Sequence, residues 1–332
     1  MCIGFSIKFE IHIHINRKDK DVHSKNEVAP IKSTSQSDAI QLAEHEVKKW
    51  KGSVSPSTMG NYLTALRSLK QYLSTEGGKQ VLNHETIKGY ERWLRSRQLC
   101  LNTISCYMRS LRSLFNKIYN DSTKTDWFNN VFTGRTNTEK RSIPESEIKK
   151  LCRLKLRPSS FESLVRDLFI FSFYALGMPF VDLAFLKKNQ IKDDKLIYYR
   201  HKTGQSITIK LEPCMKDILN RYLTNSREYV FPIIKSSDEN KAYSEYQIML
   251  NRYNKKVKIL AQKAGIENRL SSYTPRHTWA SLAYNNCIDL HVISKALGHT
   301  NPQTTLTYIR QIDDVRLEEA NHAIVAKVTS DS

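Results

Sequence analysis

Three short stretches near the carboxyl end are the most informative part of this sequence: PRHTW (275–279), ALGHT (296–300) and TLTYIR (305–310). Each contains one side chain that can act on a phosphate ester, namely Arg276, His299 and Tyr308. The arginine precedes the histidine by 23 residues, and the histidine precedes the tyrosine by nine. Taken singly, they are a surface charge, a turn that ends a helix at Gly298, and one of sixteen tyrosines. Their order and spacing therefore have to be considered together.

The composition excludes several classes of protein. Of the 332 residues, 40% are apolar, which is enough for globular cores and too much for a disordered chain. The longest apolar stretch, residues 168–181, is shorter than the roughly 20 residues that cross a bilayer. The six cysteines form no CxxC pair, and the N-terminus has no signal-peptide layout. We therefore expect a reduced, cytoplasmic protein with no membrane partner.

The chain carries a large excess of positive charge. There are 52 Lys and Arg residues against 33 Asp and Glu residues, so the formal net charge is +19. Phosphates are the densest intracellular anions, and nucleic acid is the partner that we expect. The alternative is a charge that serves solubility alone.

The pattern along the chain predicts a mostly α fold with a small β-sheet, of the α+β class. We expect an N-terminal strand with a linker, a helical block, a second linker and a mixed block, at residues 1–36, 37–121, 122–142 and 143–332. His12 and His14 lie on the polar face of the first strand without a third ligand in the pattern. We therefore predict no metal site and no cofactor.

The mixed block contains a predicted hairpin and a predicted tail helix. KLIYYR (195–200) and SITIKL (206–211) have the composition of paired strands, and Gly204 lies in the turn between them. The same turn contains Lys202. Apolar residues at helical spacing over 311–328 indicate an amphipathic helix at the end of the chain.

Two helices of the first block repeat one another. STMGNYLTALRSL (57–69) and NTISCYMRSLRSL (102–114) align at an offset of 45 residues. The net charge favours contact of their basic side chains with DNA phosphates, and of their threonines with phosphates at the helix N-termini. The candidate DNA-binding residues are Thr58, Arg67, Lys70, Thr103, Arg109 and Arg112. The alternative is a small helical bundle with a solvated basic face.

With Lys202, the three C-terminal stretches resemble the tyrosine recombinases of the phage integrase family. That family carries an R-H-T-x-A-[ST] helix start, an L-G-H-[ST] turn, a tyrosine nine residues after that histidine, and a lysine on a β-hairpin. All four features occur here in order. The helical block resembles the family's core-binding domain, so the resemblance covers residues 37–329. It implies a helical core-binding domain followed by a catalytic domain whose site contains Tyr308, Arg276, His299 and Lys202.

The chemistry of these side chains agrees with that resemblance. A phenol has a pKa of about 10 and is a poor nucleophile at neutral pH unless the charge of the phosphate that it attacks is neutralised. The planar fork of Arg276 can hold two non-bridging oxygens, and His299 can donate a further hydrogen bond. Lys202 can give a proton to the leaving oxygen, and Tyr308 can store the bond energy as a phosphotyrosine. This chemistry requires no metal.

The sequence departs from the family pattern in two places. The family has a first arginine within a T-G-L-R-x-x-E-L stretch, which here is ALGMPFVDL (175–183), so that the arginine position falls on Leu176 or Pro179. One of the two phosphate clamps is therefore expected to be missing. Tyr273 is a fifth candidate catalytic residue, because it stands where the family has a histidine, three residues before the second arginine. It can donate a hydrogen bond but cannot carry a positive charge. The nearest cations, none at a matching place, are Arg166, Lys187 and Arg200.

The resemblance implies a site-specific DNA recombinase that works through a 3′-phosphotyrosyl intermediate. Such an enzyme integrates, excises or inverts a mobile or invertible element. Its partner is double-stranded DNA, and it acts as a homotetramer on two DNA sites with exchange of C-terminal helices. The missing arginine favours one alternative, a catalytically impaired DNA-binding relative. A second alternative is a basic protein–protein adaptor built from helices.

Overall fold

The computed structural model describes residues 36–50, 52–75, 82–119, 126–136, 141–223 and 228–306, together with residues 318, 321, 322, 324–326 and 329. The chain divides into two compact units, Met1–Asn137 and Thr138–Ser332. The predicted N-terminal strand with His12 and His14, most of the predicted tail helix, and Tyr308 lie outside the described residues. The described residues of that tail are exposed and helical.

The described part of the first unit is a bundle of four α-helices followed by a short 3₁₀ turn at Asp126–Phe128. The helices are α1 (Gln36–Lys49), α2 (Pro56–Thr75), α3 (His84–Ser96) and α4 (Leu101–Ile118). Apolar residues at intervals of three and four give each helix a buried stripe, and the side chain of Asn83 caps α3 by accepting from Thr86 N–H at 2.9 Å.

The internal repeat corresponds to the packed pair α2 and α4. The two helices begin 45 residues apart, which is the offset of the repeat. Tyr62 in α2 and Leu111 and Leu114 in α4 are buried in the same core. The hydroxyl of Tyr62 lies 3.0 Å from that of Ser113, so one repeat copy contacts the other directly.

In the described part of the second unit, helices pack on one face of a three-stranded antiparallel sheet. The strands are β1 (Ile191–Lys192), β2 (Lys195–Tyr199) and β3 (Ser206–Lys210), in the order β1-β2-β3. The helices are α5 (Glu145–Arg153), α6 (Phe161–Tyr174), α7 (Phe180–Ala184), α8 (Pro213–Asn220), α9 (Glu239–Lys263), α10 (Thr274–Asn285), α11 (Leu290–Leu297) and α12 (Gln303–Leu306). The prediction of a mostly helical fold with a small sheet is confirmed.

The predicted hairpin is present, with Tyr198 paired to Ile207. Buried and exposed residues alternate along both strands, as expected for a sheet with one face on a core. The turn closes through a hydrogen bond from Arg200 N–H to the Gln205 carbonyl at 2.9 Å, and Gly204 has a φ of +68° there.

Helix α6 is the centre of the second core. It packs against α5, α8, α9 and α10, and the apolar run from Leu168 to Phe171 is buried. After α6 the chain turns through Leu176 and Gly177, which have φ values of +57° and +68°, and then enters α7. Among the described helices, none combines the length and the apolar character that a membrane span needs.

Candidate active site

Arg276 is held in the second unit by the first turn of α10. Its side chain is buried, with 2% of the residue exposed. Nη1 donates to the Gly177 carbonyl at 3.1 Å, and Nη2 donates to the Leu297 carbonyl at 2.6 Å. A Cβ at position 177 would lie 2.7 Å from Arg276 Cα, so the glycine lets the α6–α7 turn approach this arginine.

His299 follows directly on the end of α11. The side chain of Asp289 caps the start of this helix, and Gly298 ends it in the left-handed region with φ of +63°. The imidazole then lies between two partners: its Nε2 is 3.0 Å from Arg276 Nη2, and its Nδ1 is 2.9 Å from the Thr305 hydroxyl. A guanidinium can only donate, so Nε2 accepts from Arg276 and the ring proton lies on Nδ1.

The surroundings of His299 disfavour its charged form. Burial is the largest cause, followed by the positive charges of Arg276, Arg200 and Lys202, and together they lower the pKa of His299 to about 4. The imidazole is therefore neutral at pH 7. Arg276, Arg200 and Lys202 all lie near this imidazole in the folded chain.

The hairpin turn brings Lys202 to the same place. The residue is exposed, and the Thr203 hydroxyl next to it donates to the Gly298 carbonyl at 3.2 Å. This bond joins the β2–β3 turn to the end of α11. The structure thus brings together Arg276, His299 and Lys202, three of the candidate residues of the sequence analysis.

Arg200 also lies beside this group, although the sequence places it only among the nearest cations and predicts no role for it at the site. Its side chain is 7% exposed, and its Nε lies 2.8 Å from Oδ2 of Asp182, which is fully buried. The N–H is not aligned on that oxygen, so the contact is an ionic one. Nη1 donates to the Leu297 carbonyl, the acceptor that Arg276 also uses.

The sequence contains one indication that the side chain of Arg200 points to the core side of the hairpin. Leu196 and Tyr198 are buried positions of β2, and Arg200 continues their alternation beyond the end of the strand. The other two cations considered lie elsewhere in ion pairs, Arg166 with Asp167 and Lys187 with Glu228.

The described residues of this site do not form a metal-binding cluster. Across the described residues, no cluster of three or more His, Cys, Asp or Glu side chains has the arrangement of a metal site.

Two family models match this chain. The model described as the phage integrase family matches residues 141–314, and that of the phage integrase SAM-like domain matches residues 39–130. The chain belongs to the phage integrase family. Its members include the tyrosine recombinases, enzymes of site-specific DNA recombination, and this chain is one of that class.

Similar integrase-family proteins cover most of the chain. Tyrosine recombinase XerD of Shewanella oneidensis is 24% identical over 80% of this chain and 89% of its own length. Tyrosine recombinase XerC of Halalkalibacterium halodurans is 23% identical over 78% of this chain and 88% of its own.

Solved integrase structures share the fold. The Tn1549 transposon integrase in complex with transposon right end DNA has a TM-score of 0.60 at 16% identity, over 86% of this chain and 99% of that one. A lambda integrase tetramer bound to a Holliday junction also has a TM-score of 0.60, at 14% identity over 85% of this chain and 80% of that one.

This integrase differs from the family pattern where the sequence indicated. Leu176 is partly buried in the α6–α7 turn, and Pro179 is the buried residue that precedes α7. Tyr273 comes directly before α10 and is 51% exposed. It lines an open basic cleft with Arg141, Lys258 and Arg269.

The candidate DNA-binding residues of the first unit lie on α2 and α4. Thr58 and Thr103 are in the first turns, where their hydroxyls lie 2.8 Å from Ser55 Oγ and 3.0 Å from Cys100 Sγ. The basic residues differ in their surroundings. Arg67 and Arg112 are exposed, Lys70 is in an ion pair with Glu44 at 2.7 Å, and Arg109 donates to the Ser105 carbonyl at 3.3 Å.

Proposed function

We propose that this phage integrase family member is catalytically active and breaks a DNA strand by attack of Tyr308 on a phosphodiester held by Arg276 and His299. The observation that carries the proposal is the partly buried contact of 3.0 Å between the guanidinium of Arg276 and the imidazole of His299, with Lys202 in the adjoining hairpin turn. Side chains of this kind are suited to an anion whose charge grows in the transition state.

The reaction is a transesterification at phosphorus. The Tyr308 oxygen forms a bond to phosphorus as its phenolic proton passes to solvent water, and the bond from phosphorus to the 5′ oxygen breaks. Lys202 gives a proton to that oxygen, which leaves as a 5′-hydroxyl. The DNA remains attached through a 3′-phosphotyrosyl ester, and the reverse reaction with another 5′-hydroxyl rejoins the strand.

The proposed partner is double-stranded DNA, in keeping with a net charge of +19 and with the DNA in the solved structures of similar integrases. The proposed assembly is a homotetramer on two sites, with the C-terminal helix exchanged between subunits. Deletion of residues 312–332 is then expected to weaken cooperative binding to paired sites and to leave binding to a single site largely intact.

Covalent trapping tests this function. A duplex with a randomised sequence and a nick placed beside the cut releases a short fragment after cleavage and leaves the protein attached. We expect an adduct that resists denaturation with the wild-type chain and with Tyr243→Phe as a control. We expect none with Tyr308→Phe. Equal adduct from the wild type and Tyr308→Phe would overturn the proposal.

One observation favours a second candidate function, a DNA-binding relative without chemistry. The position of the family's first arginine falls on Leu176 or Pro179, and neither is an arginine. Such a protein would bind DNA with a log–log salt slope of about −0.9 for each phosphate contact and would give no adduct.

A further inference from the structure

Arg200 and Arg276 form a pair of buried guanidiniums beside His299. Both reach the carbonyl oxygen of Leu297, although one belongs to the hairpin and the other to α10. Placing two like charges side by side in a buried site is unfavourable unless an anion joins them. Asp182 lies in an ion pair with Arg200, and Arg276 donates to the carbonyl oxygens of Gly177 and Leu297 and contacts His299 Nε2.

The backbone around Arg200 is shaped to admit its side chain. A Cβ on Gly298 would lie 3.0 Å from Arg200 Cγ and 3.4 Å from its Nη1. The left-handed glycine that ends α11 therefore places His299 and also leaves the space through which Arg200 reaches the site.

Asp182 fixes the direction of that side chain. It lies in α7, at the acidic position of the motif that lacks its arginine. Its Oδ1 accepts from the backbone N–H of His201 at 2.9 Å, and its Oδ2 lies 2.8 Å from Arg200 Nε. Among the described residues, the contacts of the Arg200 guanidinium engage Nε and Nη1, and we assign Nη2 to a ligand.

We propose that Arg200 is a catalytic residue that binds a non-bridging oxygen of the scissile phosphate, and that it supplies the guanidinium absent at Leu176 or Pro179. This inference rests on the proposed function of Tyr308. In it, one arginine comes from the hairpin and the other from α10, and Asp182 acts as a positioning residue.

The competing role for Arg200 is purely structural, as a tie between the hairpin and α11. The two roles predict different effects when the Arg200 side chain is removed and the substrate is changed. A structural tie depends on the side chain whatever the substrate, whereas a phosphate-binding cation is needed only while the phosphate carries its negative charge.

A neutral substrate separates these roles. In a methylphosphonate linkage, a methyl group replaces one non-bridging oxygen and removes the charge that the guanidinium offsets. We expect Arg200→Ala to lower the rate of adduct formation on the ordinary phosphodiester by ~10²–10³. On the methylphosphonate, we expect its rate to approach that of the wild type.

Three further variants make the outcome decisive. Arg200→Lys keeps the charge and is expected to retain part of the activity, while Arg166→Lys, beside the buried Asp167, is the matched control and is expected to cleave normally. Tyr308→Phe is expected to form no adduct on either substrate. Thermal melting and DNA binding establish that each variant is folded.

The possible failures are distinguishable. An absence of adduct with the wild-type chain would overturn the proposed function itself. If the wild type forms the adduct, either full activity of Arg200→Ala or an equal loss on both substrates would overturn the role of Arg200.

Discussion

Arg200 and Arg276 share one hydrogen-bond acceptor, the main-chain carbonyl of Leu297. This carbonyl belongs to the last residue of α11, one position before the left-handed Gly298. The hairpin, α10 and α11 therefore meet at the C-terminal end of a helix, where the main-chain carbonyl groups favour cations. The location of the site depends on how that helix terminates.

Gly298→Ala tests the dependence on the helix end. The added methyl group would lie 3.0 Å from Arg200 Cγ and 3.2 Å from Ile207 Cδ1, so these side chains must shift by a few tenths of an ångström. We expect about a tenfold loss in the rate of covalent adduct formation, since small displacements of catalytic groups are costly. The left-handed backbone adds a stability loss of about 1–2 kcal/mol, measured by chemical denaturation.

Gly265→Ala is the matched control for this substitution. Gly265 has a φ of +62°, close to that of Gly298, but a Cβ there would meet nothing within 4 Å. We expect a similar loss of stability and an unchanged rate. Equal rates for the two variants would contradict the claim that Gly298 makes room for Arg200.

The second prediction concerns the buried ion pair of Asp182 and Arg200. Asp182→Asn leaves the guanidinium without its compensating charge, and we expect a loss of about 3–5 kcal/mol in the free energy of unfolding. The double variant Asp182→Asn with Arg200→Met removes both charges and is expected to be more stable than the sum of the single effects implies. Urea denaturation of the wild type, the two single variants Asp182→Asn and Arg200→Met, and the double variant measures this coupling. Additive effects would contradict it.

Much of the fold could be predicted from local sequence patterns. The period of apolar residues in α2 and α4, and the alternation in β2 and β3, depend on neighbours along the chain and indicate their own secondary structure. The two-residue strand β1 is different. It is too short to have a pattern, and its pairing of Ile191 with Leu196 exists only because β2 is there.

The candidate site was predictable only in part, for the same reason. Arg276 and His299 occur in short motifs with fixed spacing, which the sequence displays directly. Arg200 joins them through Asp182 and Leu297, which are distant along the chain, and a comparison of linear motifs therefore assigns it no role. Its position becomes visible only when the hairpin is packed against α7 and α11.

The third prediction concerns DNA binding by the first unit. Arg67 and Arg112 occupy equivalent positions of the repeat and are both exposed. If each contacts a phosphate, replacement by Ala is expected to reduce the log–log salt slope of DNA binding by about 0.9. Lys216→Ala is the control, because Lys216 pairs with Asp194 at the end of the hairpin away from Lys202. The slopes are measured by fluorescence anisotropy for the wild type, Arg67→Ala, Arg112→Ala and Lys216→Ala. Equal slopes for all four would exclude these contacts.

The fourth prediction concerns Lys202 as the acid that protonates the leaving oxygen. Lys202→Ala is expected to slow cleavage of an ordinary phosphodiester by roughly 10²–10⁴. A substrate with sulfur in place of the bridging 5′ oxygen needs no such proton, because a thiolate is a good leaving group. We expect the variant to cleave that substrate at nearly the wild-type rate, while Arg276→Ala stays slow on it. A Lys202→Ala defect that persists with sulfur would assign the lysine another role.

The last prediction follows from the lowered pKa of His299. In the free protein this pKa is about 4, below the ordinary 6.5, because of burial and the charges of Arg276, Arg200 and Lys202. The neutral imidazole therefore contributes to the free energy of unfolding above pH 6.5, and this contribution is lost as the pH falls towards 4.

A bound phosphate places negative charge among these cations, so the pKa of His299 rises on binding. DNA binding then takes up a proton at pH 5.5, and affinity increases as the pH falls through this window. Calorimetry at that pH in two buffers of different ionisation enthalpy measures the uptake, with the duplex recovered by trapping. We expect His299→Asn to take up fewer protons than the wild type, and equal uptake would show that His299 does not titrate with phosphate.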